Sequence, residues 1–180
     1  MYVRELAIQL STLPEYEDHL TTKYIGDLVK SAPLHDIGKV GVEDAILNKP
    51  GKLTDEEFNA IKRHCEYGAN VLSIAESKVN FRSYLTLAIP LVRHHHERWD
   101  GNGYPDGLIG DQIPLSAQIM AVADVYDALR SERCYKNGFS HEKSMEIIIS
   151  DKGKHFAPDV VDAFVKCERR FNEISSAIVD

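Results

Sequence analysis

Three histidines and a glutamate stand in a row at His94-His95-His96-Glu97, directly after an apolar stretch holding Leu85, Leu87, Ala88, Ile89, Leu91 and Val92. Arg98-Trp99-Asp100-Gly101-Asn102-Gly103-Tyr104-Pro105 follows, a glycine-rich loop through which no helix continues. Two further stretches set metal-binding residue types among apolar neighbours: His35-Asp36 within Leu34 to Lys39, and Asp124 and Asp127 within Ala123 to Leu129. An unpaired carboxylate or cation would be costly to bury there, so the three stretches read as parts of one site. Imidazoles and carboxylates without thiolates suit iron, manganese or zinc held for hydrolysis or oxygen chemistry, rather than a closed structural zinc site. Adjacent residues on a helix point about 100° apart, so neither His35-Asp36 nor His95-His96 would readily chelate one ion as a pair. They could serve two neighbouring ions. Asp36 could bridge such ions, roughly 3.5–4 Å apart, with the shared water becoming a nucleophile near neutral pH. Three successive histidines cannot all face one site from a regular helix, so one of them is expected to lie off it.

The elements that position these residues read as helices throughout. Val3, Leu6, Ala7 and Leu10 have helical spacing, and the helix they mark has begun where the sequence starts, with no N-cap before it, which suggests a domain from a longer protein. After a polar connection at Pro14 to Asp18, a second helix over Tyr24 to Leu34 delivers His35 and Asp36. A short helix is expected around Glu43 to Leu47, then a Pro50-Gly51 turn. Thr54 and Glu57 form a capping-box pattern opening a helix with Phe58, Ile61, Cys65 and Leu72 on its apolar face and His64 near its middle. Another helix runs from about Ser83 to the triple histidine. Leu115 to Leu129 is so apolar that it reads as a buried central helix whose carboxylates need partners. Ser140 caps a helix to about Ser150. Pro158 suits the first turn of a last one, with Val161, Phe164 and Val165 facing inward. No convincing strand pattern occurs, and the expected fold class is all-α.

At 180 residues the chain is expected to be one domain with a sizeable core. Its net charge of -7 argues against holding long nucleic acid by counterion release. It does not exclude a small anionic ligand, since Lys39, Arg98, Arg133 and Lys136 lie in or beside the motifs and a local cluster can oppose the global sign. No apolar run approaches the roughly 20 residues that span a bilayer, and the start does not resemble a signal peptide, so no membrane partner and a cytoplasmic location are expected. Cys65, Cys134 and Cys167 form no CxxC pair and indicate neither a disulfide framework nor a thiolate zinc site. His19, His141 and His155 fall in polar contexts and are expected at the surface.

The sequence resembles the HD-GYP subgroup of the HD phosphohydrolases. The resemblance is carried by His35-Asp36-Ile37-Gly38-Lys39, Asn48-Lys49-Pro50-Gly51-Lys52-Leu53-Thr54, His95 through Pro105, Asp124 through Leu129, Arg133-Cys134-Tyr135-Lys136 and His155-Phe156-Ala157-Pro158, nearly the whole chain. It implies an HD-domain helical bundle with a GYP-containing loop. It also implies a phosphodiesterase that converts cyclic di-GMP to linear pGpG or GMP with two or three metal ions, often iron or manganese; zinc, nickel and magnesium also suit the donor types. The implied metal ligands are His35, Asp36, His64, His95, His96 and Asp124. Lys39 would contact the scissile phosphate, Tyr104 would line the guanine site, and Arg133 and Lys136 would hold phosphate oxygens. Asp36 and Lys39 are thus the expected catalytic pair. Two departures stand out. The glutamate and histidine that usually precede the His-Asp pair would fall before Met1, so either a third ion is absent or the fragment has lost it; two ions are expected here. Ala157 replaces the usual helix-capping aspartate, a loss of about 0.5–2 kcal/mol.

The implied partners are cyclic di-GMP, an N-terminal receiver or sensor domain, and GGDEF-domain proteins. Competing readings are a catalytically inactive cyclic di-GMP receptor or protein-interaction module, and a general HD-type hydrolase of mononucleotides.

Overall fold

A computed structural model describes residues 1–131 and 138–178. Arg133 and Lys136, expected to hold phosphate oxygens, lie outside the described residues, as does Cys134. Among the described residues there is no strand beyond two isolated bridges, Asp100 to Ile109 and Lys152 to Phe156, in keeping with the expected all-α class.

The chain opens with α1 (Tyr2–Leu10), the single-turn α2 (Pro14–Glu17) and α3 (Thr22–Ser31). Two 3₁₀ turns follow, Ala32–Leu34 and Ile37–Gly41, and His35-Asp36 is the joint between them. Next come α4 (Asp44–Leu47), α5 (Asp55–Lys62), α6 (His64–Glu76) and α7 (Leu85–His94). The glycine-rich loop leads to α8 (Leu115–Arg130), then α9 (His141–Ser150), α10 (Pro158–Lys166) and α11 (Glu168–Ile178).

Helix α8 is the axis of the bundle. Ala117, Ile119, Met120, Ala121, Val122, Ala123 and Tyr126 are all buried, because a helix that is apolar all round must be covered on every side. Leu6, Ala7 and Leu10 of α1 and Val160, Val161 and Phe164 of α10 cover it. Tyr126 meets Tyr2, Phe164 and Phe171 edge-on, with ring centroids 5.0 to 5.6 Å apart, an arrangement aromatic quadrupoles favour. Local signals set the boundaries. The Thr54–Glu57 capping box forms in both directions, and Ser140 accepts the Lys143 N–H at 3.2 Å.

Several expectations need correction. The helix expected from Thr54 through Leu72 is two helices meeting at Arg63, and His64 opens the second instead of lying mid-helix. The one-residue joint keeps the apolar phase, so periodicity could not show it. Phe58 is 44% exposed rather than core. Pro14 to Glu17 is a helical turn with proline at its first position, where the missing N–H costs nothing. Val165 is exposed, since Val160, Val161 and Phe164 already define the inward face of α10, and α11 follows it as a further helix. His141 is buried, bonded to the Tyr126 hydroxyl at 2.9 Å and the Glu168 carboxylate at 2.7 Å, and His155 is half-buried.

Gly38 brings the His-Asp joint against α6. A β-carbon there would lie 1.9 Å from the His64 carbonyl oxygen and 2.5 Å from the Gly68 nitrogen, so backbone meets backbone. Gly38→Ala should therefore destabilise by about 3 kcal/mol, the upper range for overpacking, seen as a lower urea midpoint at unchanged m-value. Gly26→Ala in α3, where a β-carbon meets nothing within 4 Å, should instead stabilise by about 0.5–1 kcal/mol.

Candidate metal centre

Three histidines enter the site by the same local device. His35 follows the first 3₁₀ turn, His64 follows the end of α5, and His95 caps the end of α7. At each, Nδ1 reaches the carbonyl of the residue three earlier: Ala32 at 2.8 Å, Ile61 at 2.7 Å and Val92 at 2.9 Å. A carbonyl only accepts, so Nδ1 carries the proton and donates, leaving the Nε2 lone pair free to face the site. The ends of helical turns thus satisfy their own orphan carbonyls and aim three donor atoms at once.

Those donors converge on Asp36. Its Oδ1 lies 3.3 Å from His64 Nε2 and 4.0 Å from His95 Nε2, while its Oδ2 lies 3.4 Å from His35 Nε2 and 2.5 Å from Lys39 Nζ. Asp124, from α8, places Oδ1 3.5 Å from His35 Nε2. The His96 ring lies 4.1 Å from that of His95 and 5.2 Å from that of His64. His95 and His96 lie side by side just past the end of α7, their rings tilted 40° to each other. His64, Cys65, His95 and His96 offer donor atoms within 4.8 Å of one another. Burial pushes the Cys65 thiol up to about 12, which disfavours the thiolate; the other donors are imidazoles and carboxylates, types that suit divalent ions. These residues fit a metal.

Electrostatics keep three of the four imidazoles in ligating form. Burial pushes His96 down to about 4, holds His95 well below the usual histidine range, and lowers His64. Burial opposes protonation of His35 too, but Asp124 and Asp36 outweigh it and its pKa is raised. Burial likewise opposes ionisation of Asp124, yet His35 holds its carboxyl below the usual range. A cleft of ≈ 260 Å³ opens beside His35 and Asp124 and is lined also by Val29, Pro33 and Asp127. Burial and the Asp124 charge raise Asp127.

The loop after His96 is anchored by Glu97, only 2% exposed, which accepts the Asp106 N–H at 2.7 Å and the Leu108 N–H at 3.1 Å. Sequence reasoning assigned Glu97 no role of its own; its one signal was a carboxylate following the histidines where a loop must be tied down. His94 is turned off the Asp36 cluster, with Nδ1 3.5 Å from Asp106 and 3.8 Å from Glu97. Gly101 adopts φ 78°, as a tight turn needs. Gly103 does not have positive φ. It is required by close approach, since a β-carbon would lie 2.3 Å from the Arg98 nitrogen. The backbone therefore delivers Tyr104 to His96, ring centroids 4.9 Å apart, and burial raises the phenol well above its usual pKa.

A helical bundle that joins a His-Asp pair to further histidines and a distant aspartate defines the HD domain, and this chain belongs to that family, whose model matches residues 5–160. Its motifs are those of the HD-GYP subgroup. The chain is 51% identical over 179 residues to a cyclic di-GMP phosphodiesterase of Vibrio cholerae serotype O1, covering 99% of this chain and 36% of that protein. It is 42% identical over 144 residues to the cyclic di-GMP phosphodiesterase response regulator RpfG of Xanthomonas campestris pv. campestris, covering 80% and 37%. The chain thus spans little more than a third of the length of these relatives. Among solved structures, a HDG"Y"P protein from Bdellovibrio bacteriovorus shares the fold, with a TM-score of 0.61 at 22% identity over 96% of this chain and 50% of that one.

Two measurements test this geometry. In metal-free protein, the His96 ring resonances should titrate near pH 4 and those of His35 above 6.5. Between those limits the unfolded state binds the proton that folded His96 refuses. Its contribution to stability is therefore present above about pH 6.5 and lost as pH falls toward 4. Glu97→Ala removes the buried acceptor of two partly buried backbone N–H groups and should cost about 1–3 kcal/mol in thermal or urea unfolding. Arg93→Ala removes only the partly exposed pair with Asp106 and should cost under about 1 kcal/mol.

Proposed function

We propose that this domain is a phosphodiesterase that hydrolyses cyclic di-GMP with two divalent ions, iron or manganese, held by His35, Asp36, His64, His95, His96 and Asp124. One observation carries the two-ion reading: the two oxygens of Asp36 face different donors, Oδ1 toward His64 and His95 and Oδ2 toward His35. One carboxylate can therefore serve two sets of imidazoles. Bound there, two such ions supply charge for the phosphoryl oxygens and a water activated near neutral pH.

The chain's own residues do the remaining work. Lys39, on the 3₁₀ turn fixed by Gly38, holds its ammonium beside Asp36 and is 45% exposed, free to turn toward a phosphoryl oxygen and offset the charge developing on it. The pinned Nδ1 atoms fix the rings without help from the ligand. Tyr104 and Phe58 present aromatic surface beside the centre, suited to a purine. The identity of 51% with a protein named cyclic di-GMP phosphodiesterase supports the choice of nucleotide. A receiver or sensor domain and GGDEF-domain proteins belong to the same proposal as partners. No helix among the described residues is long and apolar enough to cross a membrane.

Metal-free protein loaded anaerobically with Fe(II) or Mn(II) should cleave cyclic di-GMP, followed by chromatography of the products. Asp36→Ala should lose metal and activity together. Lys39→Ala should keep its metal while kcat falls about 10²–10³-fold. Loaded protein that binds the nucleotide and leaves it intact would make the domain a receptor.

A further inference from the structure

Phe58 and Lys62, two residues of α5, continue the metal centre outward. They stand four residues apart on one face of the helix, and Lys62 is only two residues before His64. The Lys62 ammonium lies 4.6 Å over the Phe58 ring centroid and 5.5 Å over that of Tyr104. The two rings meet edge to face, centroids 6.3 Å apart, and Tyr104 in turn leans on His96 at 4.9 Å. A continuous wall of rings and one cation therefore runs from the metal centre to the surface of α5.

Each half of that wall is open to a ligand. Phe58 is 44% exposed, so its ring adds little to the core. Among the described residues Lys62 has no carboxylate within 4.0 Å; its hydrogen bond is to the neutral Asn59 side chain at 3.3 Å. Ring faces attract the ammonium and orient it without neutralising it. A lone exposed phenylalanine would mean little. Joined to an oriented, unneutralised cation beside a centre suited to phosphodiesters, it offers the two chemistries that a nucleotide needs, a π-face for a base and a charge for a phosphate.

We propose that α5 supplies the second half-site for a cyclic dinucleotide, Phe58 stacking the base distal to the cleaved bond and Lys62 holding the distal phosphate. This deepens the phosphodiesterase reading and rests on it. Phe58 and Lys62 are then specificity-determining residues, because a diester with no second nucleotide cannot reach them.

The test compares metal-loaded parent, Phe58→Ala and Lys62→Gln on cyclic di-GMP and on bis(p-nitrophenyl) phosphate, with nucleotide binding measured by calorimetry alongside. Each variant should raise the KM for cyclic di-GMP about tenfold and weaken its binding in step. The discrimination between the two substrates should fall by a similar factor, and Lys62→Arg should recover most of it. KM and binding within twofold of the parent, or parallel loss on both substrates, would overturn the half-site while leaving the parent's activity standing. A parent that cleaves the small diester but neither binds nor cleaves cyclic di-GMP would overturn the functional reading and the half-site together.

Discussion

The site depends on three imidazole N–H groups turned back onto their own chain. His35, His64 and His95 come from three separate places in the sequence, yet each donates Nδ1–H to the carbonyl three residues before it. The contact fixes the tautomer and the ring orientation together, so Nε2 points at Asp36 before any ion arrives. The entropy of ordering those side chains is met on folding, not on binding. The device works only where a helical turn ends and leaves a carbonyl unclaimed, which gives the breaks in this fold their purpose. The joint at Arg63, the end of α7 at His94 and the 3₁₀ turn before His35 are where the chain stops being regular.

Packing holds those helix ends in register. The contact of Gly38 with His64 and Gly68 is backbone on backbone, so the turn that carries Asp36 and Lys39 cannot slide along α6 without a clash. Asp124 comes from α8, the most buried helix, and is fixed by the bundle core itself. On the other side Glu97 ties the glycine-rich loop by two backbone N–H groups, a buried carboxylate whose charge is met by amide dipoles. Low dielectric then acts evenly. It keeps His64, His95 and His96 neutral, the form in which a ring nitrogen can ligate, while the Asp36 and Asp124 charges raise His35.

Much of this was legible before any coordinates. Helical spacing and capping residues marked α1, α5, α8 and α9, because those signals are local and each residue's partner lies within one turn. The resemblance also implied His35, Asp36, His64, His95, His96 and Asp124 as ligands, and the structure brings all six side chains together. What was not legible depends on distant partners or on small changes of backbone phase. His141 looked like a surface residue because Glu168, which bonds it, is 27 residues away. The Arg63 joint preserved the apolar period and so hid the break that frees His64. Gly103 needs room against the Arg98 backbone, which only the folded loop reveals. Arg133 and Lys136 fall outside the described residues.

Asp36 turns its two oxygens toward two sets of donors rather than completing one. Metal-free protein can be loaded anaerobically with Mn(II), its metal content determined, and its low-temperature electron paramagnetic resonance spectrum recorded. Two ions per chain with the spectrum of an exchange-coupled pair are the expected result. One ion per chain with the six-line spectrum of isolated Mn(II) would contradict it.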